Sequence, residues 1–253
     1  MFDLLKLRKQ HGYQAIGDVR NAKLLDTHRG FPVIDESKCI NDCTNCKEVC
    51  PTDAIKIKPL SIDLGKCIFC GECEKACTSG AIKFTNEHKL GSTERNFLNI
   101  STGTTFTEFE EHAIESKEKI HKIFGRSLKL RQVSAAGCNG CEMELGACSN
   151  VNFDMGRFGI DFVASPRHAD GIVITGPISK NMAPALRDAY ASINSPKIVV
   201  AFGACAISGG IFAESLELNR KFFEEVKVDL FVPGCPPHPL TFINALLKFI
   251  GKD

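Results

Sequence analysis

The sequence predicts two modules: a small α+β unit built on a duplicated cysteine-rich segment, then an α/β domain with a mostly parallel sheet. The first prediction rests on a self-similarity between Ile34 and Phe84, the second on strand-like runs that alternate with helical ones from Ser127 onward. The 13 cysteines divide along the same line. Eight fall in two tight runs, Cys39, Cys43, Cys46, Cys50 and Cys67, Cys70, Cys73, Cys77. Four stand far apart, close to glycine or proline: Cys138, Cys141, Cys205 and Cys235.

A chain of 253 residues allows one large or two small domains. With 43% hydrophobic and 24% charged residues it is globular and can bury a core. A net charge of +1 gives no electrostatic reason to expect nucleic acid or an acidic polymer as partner. Met1-Phe2-Asp3-Leu4 lacks the basic start and cleavage site of a signal peptide. The longest uncharged stretch, Ile198 to Ala213, is short for a membrane span and is interrupted by Gly203, Gly209 and Gly210. A soluble, intracellular chain is expected. The odd cysteine count and short spacings suit metal binding better than disulfides.

The duplication is explicit. Ile34-Asp35-Glu36-Ser37-Lys38-Cys39 recurs as Ile62-Asp63-Leu64-Gly65-Lys66-Cys67. Cys50-Pro51-Thr52-Asp53-Ala54-Ile55 recurs as Cys77-Thr78-Ser79-Gly80-Ala81-Ile82. Each copy reads as a short strand, a cysteine loop, a short helix and a second strand. Twelve thiolates in three groups of four are what three 4Fe-4S clusters need. Four-cysteine zinc sites are the alternative, but here three cysteines crowd each loop and no histidine lies between Cys39 and Cys77. Over Ile34 to Phe84 the segment resembles a bacterial two-cluster ferredoxin, in which the fourth cysteine of each run ligates the other cluster. That pattern assigns Cys39, Cys43, Cys46 and Cys77 to one cluster, and Cys67, Cys70, Cys73 and Cys50 to its twin. The sequence departs from it by the extra residue between Cys39 and Cys43 and by Thr78, where proline is usual.

Asn86 to Thr105, polar and rich in Gly, Ser, Thr and Asn, reads as a loop. Glu108 to Phe124 reads as one amphipathic helix with His112 and His121 on its exposed surface. The domains are then expected at 1–33 (an N-terminal extension), 34–88, 89–126 (linker and helix) and 127–253. In the last, candidate strands are Leu128–Val133, Asp161–Ala164, Gly171–Thr175, Lys197–Ala201 and Asp229–Val232. Candidate helices are Met182–Ile193, Ser215–Val226 and Pro239–Phe249. Cys138, Cys141, Cys205 and Cys235 all fall just past the carboxyl ends of strands, the edge where doubly wound sheets hold ligands. Glycines beside them permit close backbone approach. Cys148, in apolar helical surroundings, reads as a core thiol.

Cys138-Asn139-Gly140-Cys141-Glu142-Met143-Glu144, Thr175-Gly176-Pro177, Gly203-Ala204-Cys205 and Val232-Pro233-Gly234-Cys235-Pro236-Pro237 resemble the small subunit of membrane-bound, energy-converting nickel–iron hydrogenases, the formate hydrogenlyase type above all. The homologous subunit of respiratory complex I is similar, but carries adjacent cysteines where this chain has Cys138-x-x-Cys141. The resemblance covers about Leu128 to Ile250. It implies a flavodoxin-like fold and one 4Fe-4S cluster on Cys138, Cys141, Cys205 and Cys235. Arg29-Gly30-Phe31-Pro32-Val33, ahead of the first cysteine, is similar to the polyferredoxin subunit of the same complexes.

What the resemblance implies is an electron relay, not a catalyst alone. The nickel–iron site of that family needs two Cys-x-x-Cys pairs, and the second module has only Cys138-x-x-Cys141. A hydrogenase-type large subunit, membrane subunits of the same complex, and a ferredoxin or formate dehydrogenase-type electron donor or acceptor are the implied partners. The implied location is cytoplasmic, peripheral on the inner face of the cell membrane through those partners. Glu144 corresponds to a glutamate near the large-subunit interface, where proton transfer is its implied role; a plain helix-start carboxylate is the alternative. A related oxidoreductase without nickel–iron, and a free-standing iron–sulfur carrier, remain open at this level. Met1 to Lys9 is mildly amphipathic, which would suit contact with a membrane subunit, but a solvated, partly frayed terminus is the preferred reading.

Overall fold

A computed structural model describes residues 2–40, 42–115 and 118–252. The chain opens with helix α1 (Phe2–His11). Leu4, Leu5 and Leu7 on it are exposed. At about 100° per residue Arg8 falls between Leu4 and Leu5 around the helix, so no uninterrupted apolar stripe forms. The amphipathic reading of this stretch is corrected accordingly, and Met1 lies outside the described residues.

The cysteine repeat folds as two strand–loop–helix–strand units. The first is β1 (Pro32–Ile34), α2 (Asn45–Glu48) and β2 (Ile55–Ile57); the second is β3 (Leu60–Asp63), α3 (Glu72–Ala76) and β4 (Ile82–Phe84). Strands pair between copies, not within them. β1 runs antiparallel to β4, with Ile34 opposite Ile82, and β2 runs antiparallel to β3, with Ile55 opposite Ile62. Each copy therefore pairs its isoleucine strands with those of the other, and a two-stranded hairpin of either copy would be marginal alone.

The segment expected as a loop contributes a strand. β5 (Asn99–Ser101) pairs with β3 through Ile62 and Ile100 and completes a three-stranded sheet. Helix α4 (Phe106–His112) follows, started by a reciprocal capping box between Thr105 and Glu108. Its Phe106 and Phe109 pack on Phe31, with ring centroids 5.5 and 5.3 Å apart. The single helix expected over Glu108 to Phe124 is thus two, α4 and α5 (Glu118–Phe124). The first helix stops at Ala113, whose carbonyl accepts from Ser92 and Thr93. Lys117, counted in the expected helix, lies outside the described residues. His112 and His121 are exposed as expected, although His121 Nδ1 also lies 2.8 Å from the carbonyl oxygen of Ile250.

The second module contains β6 (Leu128–Ser134), α6 (Gly140–Ala147), β7 (Ile160–Phe162), β8 (Gly171–Thr175), α7 (Met182–Ala191), β9 (Ile198–Phe202), α8 (Ala204–Ser208), α9 (Phe222–Glu225), β10 (Leu230–Val232) and α10 (Pro239–Phe249). Its five strands lie in the order β10-β9-β8-β6-β7, every pair parallel, with helices on both faces: a flavodoxin-like α/β fold. β8 and β9 are buried along their whole length, as continuous apolar runs at the centre of a parallel sheet should be. The helix expected over Ser215 to Val226 shrinks to α9. Residues before it run as an extended strap beside Ile178–Lys180, where Asn219 N donates to Ile178 O and Lys180 N to Glu217 O. Those tertiary hydrogen bonds outcompete a local helix.

Alternation along the strands divides the core. One face, with Val133, Ile172, Ile174, Val199 and Ala201, is continuous with the interior of the cysteine repeat, including Phe31, Ile62 and Ile82. The other packs Leu130, Val173, Val200 and Phe202 against α10. That helix is buried almost all round. Its Asn244 amide donates to Val19 O and to Leu240 O, so the N-terminal extension is tied across it.

Candidate iron–sulfur sites

Aspartate starts both cysteine loops. The carbonyl of Asp63 accepts from the amide of Cys67, and its carboxylate accepts from Gly65 N at 2.9 Å. Asp35, the matching residue, takes the Ser37 amide and hydroxyl. Arg95 then holds Asp63 with a two-point ion pair at 2.8 and 2.7 Å. From the N-terminal side Arg29 donates to the carbonyl of Phe69 at 2.6 Å. Phe69 takes a positive φ of 55° inside the second loop.

The repeat encloses two small cavities. Cys39, Cys43, Cys46 and Cys77 line one, with Leu60 and Ile82 in its wall. Cys50, Cys67, Cys70 and Cys73 line the other, with Ile55, Ile62 and Phe84. In each, three thiols come from one loop and the fourth from the far end of the other copy. Among the described residues no three Cys, His, Asp or Glu converge on a point that would hold a single metal ion. A four-iron cube instead needs thiols spread around a cavity, and that is the arrangement present.

Backbone amides are aimed at the sulfurs. Ala54 N donates to Cys50 Sγ at 3.3 Å and Ala81 N to Cys77 Sγ at 3.2 Å, two equivalent bonds in the two copies. Phe69 N donates to Cys67 Sγ at 3.3 Å. Burial pushes the Cys67 and Cys73 thiols up to about 12, and neighbouring thiols add to the effect. At Cys77 burial acts in the same sense, but hydrogen bonds from Ser79 and from the amides of Ala81, Ile82 and Gly80 outweigh it and bring the thiol below its ordinary value. Four crowded, desolvated thiols favour a group that takes their negative charge.

The third set assembles at the carboxyl edge of the parallel sheet. Cys138 and Cys141 flank the start of α6, Cys205 lies in α8 after β9, and Cys235 follows β10. Gly203 N donates to Val232 O and Ala204 N to Gly234 O, which ties the Cys205 turn to the Cys235 turn. A side chain at Gly203 (φ 89°) would meet Cys141 Sγ at 2.7 Å, and one at Gly210 would meet Cys205 Sγ at 2.9 Å. Burial raises the Cys141 pKa, as do Glu142, Cys205, Cys235 and Cys138, so the thiols are mutual neighbours. Cys138 and Cys235 are exposed, whereas Cys141 and Cys205 are half-buried.

Between the modules lies an open cavity whose wall includes Cys70, Phe69 and Arg29 on one side and Cys235, Pro236 and His238 on the other. The second loop of the repeat therefore faces the third cysteine set. Cys148 lies apart, fully buried, its thiol donating to Glu144 O at 3.3 Å. Glu144 is half-buried within α6 rather than at its start, and burial raises its pKa. Sequence reasoning did not single out Arg95 or Arg220. The repeat flagged the aspartate that Arg95 holds, but nothing local flagged either arginine.

Residues 138–249 match the family described as NADH ubiquinone oxidoreductase, 20 Kd subunit, and residues 60–83 match the 4Fe-4S binding domain. A probable membrane-bound hydrogenase subunit of Pyrococcus furiosus is 38% identical over 131 residues, which cover 52% of this chain and 78% of that protein. Formate hydrogenlyase subunit 7 of Escherichia coli is 40% identical over 143 residues, 56% of each chain. An NADH-quinone oxidoreductase subunit of Citrifermentans bemidjiense is 43% identical over 112 residues, 44% of this chain and 65% of that protein. The chain belongs to the NADH ubiquinone oxidoreductase 20 kDa subunit family and carries a 4Fe-4S binding domain ahead of that unit.

Proposed function

We propose that this chain relays electrons through three 4Fe-4S clusters to or from a partner large subunit, and that the partner holds the nickel–iron site of a membrane-bound hydrogenase. The ligands are Cys39, Cys43, Cys46 and Cys77; Cys67, Cys70, Cys73 and Cys50; and Cys138, Cys141, Cys205 and Cys235. When bound, each cluster would accept and release one electron. The chain's own residues place them. The observation that carries the order is the cavity shared by Cys70 and Cys235. It supports the Cys67 group as the inner member of the repeat and the Cys39 group as the outer, where a ferredoxin or formate dehydrogenase-type electron donor or acceptor would dock. Amides on Cys50, Cys67 and Cys77 supply the hydrogen bonds that set potentials from the protein side.

At the other end Cys138 and Cys235 are exposed, and so are the apolar Met143, two residues after Cys141, and Ile211, six residues after Cys205. Such a surface suits a large subunit. Glu144, half-buried on the same helix as Cys141, is assigned proton transfer at that contact. No helix among the described residues is long and apolar enough to cross a membrane; the membrane-bound hydrogenase relative supports association through partner subunits.

The test is anaerobic purification of the native complex, with nickel analysis and EPR under hydrogen. The proposal expects nickel in the partner and reduction of this chain's clusters by hydrogen. The 43% identity to a subunit of an NADH-quinone oxidoreductase supports a second reading, a related complex without nickel–iron. A nickel-free complex whose clusters hydrogen does not reduce would select it, and an unpartnered monomer would overturn both.

A further inference from the structure

The strap that replaces the expected helix carries Arg220 to the back of the turn that holds Cys205. Its guanidinium makes four hydrogen bonds, all to main-chain carbonyls. Nη1 donates to Cys205 O at 3.1 Å and Pro177 O at 3.2 Å, and Nη2 donates to Ala206 O at 2.8 Å and Ile207 O at 3.0 Å. α8 is only five residues long, so most of its carbonyls have no partner within the helix. Arg220 takes three of them, and Gly209 N bonds Cys205 O as well. The planar fork can span two pairs of carbonyls at once, which an ammonium cannot.

Arg220 is also a half-buried cation beside a thiol. Its charge sits against the backbone of a ligand residue, with Nη1 3.1 Å from the Cys205 carbonyl oxygen. The strap that presents it is fixed by Asn219 N on Ile178 O and by the bridge between Ser179 and Leu218.

We propose that Arg220 is the positioning residue of the third cluster: its fork holds the Cys205 turn in the ligating conformation, and its charge raises the reduction potential at that cluster. The inference rests on the three-cluster reading. A positive charge stabilises the reduced, more negative state relative to the oxidised one, and its low-dielectric setting strengthens the effect.

Two variants of the full chain in its native complex test this: Arg220→Lys, which keeps the charge without the fork, and Arg220→Gln, which removes the charge. Iron content, resistance of each cluster to a chelator, and EPR-monitored potentials are read together. Arg220→Lys should keep the third-cluster potential near the wild-type value but release that cluster faster to chelator. Arg220→Gln should lower its potential, or lose it outright, with both repeat clusters retained. Wild-type potential and chelator resistance in both variants would overturn the inference. So would loss of all three clusters together in both variants, which would mark Arg220 as a residue of the general fold. If the wild-type chain itself carries about eight irons instead of about twelve, the three-cluster reading fails first, and the two failures are distinguishable.

Discussion

Cys70 and Cys235 line opposite sides of one cavity, although the first lies in the cysteine repeat and the second follows the last strand of the parallel sheet. One cavity wall thus draws on both modules. It depends on the shared core beneath, because Phe31, Ile62 and Ile82 of the repeat belong to the same apolar cluster as Ile172 and Val199 of the sheet.

Crosswise ligation predicts non-additive losses. Cys39→Ala with Cys77→Ala removes ligands from one cluster, so the double variant should retain about eight irons. Cys39→Ala with Cys50→Ala strikes both repeat clusters and should retain about four. Iron and sulfide analysis of the two chains decides it. The reverse ranking would mean that each loop uses its own fourth cysteine.

Phe242 is fully buried, stacked on Phe162 at 6.1 Å and edge-on to Phe202 at 5.2 Å. Phe242→Ala should cost about 3–5 kcal/mol of stability through the cavity it leaves. Denaturant unfolding of the cluster-loaded chain measures this, and a loss below about 1 kcal/mol would show that α10 is not the anchor of its face.

His88 is buried, and burial first, then His238, His28 and Lys89, hold its pKa down at about 4. An unfolded histidine takes a proton near pH 6.5. The stabilisation is therefore complete above that pH and is lost as pH falls toward about 4, because the unfolded chain then binds more protons. Between pH 6.5 and 5.5 the contribution is roughly 1 kcal/mol. Anaerobic unfolding of wild type and His88→Gln from pH 7.5 to 5.5 should give a flatter profile for the variant. Parallel profiles would contradict the assignment.

Glu144→Gln keeps the size of the side chain and removes its proton. With Glu144 in proton transfer, turnover of the complex should fall by about tenfold or more, with iron content and EPR signals unchanged. Equal turnover would leave Glu144 a plain helix carboxylate.

Much of this was legible before the structure. Gly171–Thr175 and Pro239–Phe249 have the bounds the sequence indicated, because a continuous apolar run at a sheet centre and a buried helix behind a proline are local signals. β5 was not legible, since Asn99-Ile100-Ser101 is a three-residue edge strand with one apolar residue inside a polar stretch. The break between α4 and α5 falls where Ser92 and Thr93 reach Ala113, and the loss of helix before α9 depends on hydrogen bonds to Ile178 and Lys180. All of these are tertiary competitions with no mark in the local pattern. The cysteines themselves were visible as groups because the repeat and the strand ends positioned them. The arginines that hold their turns were not, because Arg95 meets Asp63 across 32 positions and Arg220 meets Cys205 across 15.

The central claim is three clusters on one chain. Iron and acid-labile sulfide per chain, measured on anaerobically purified protein together with low-temperature EPR of the dithionite-reduced state, test it most directly. Three clusters give about twelve irons and twelve sulfides, with interacting signals from neighbouring clusters. About eight of each, unchanged when Cys205 is replaced by alanine, would contradict it.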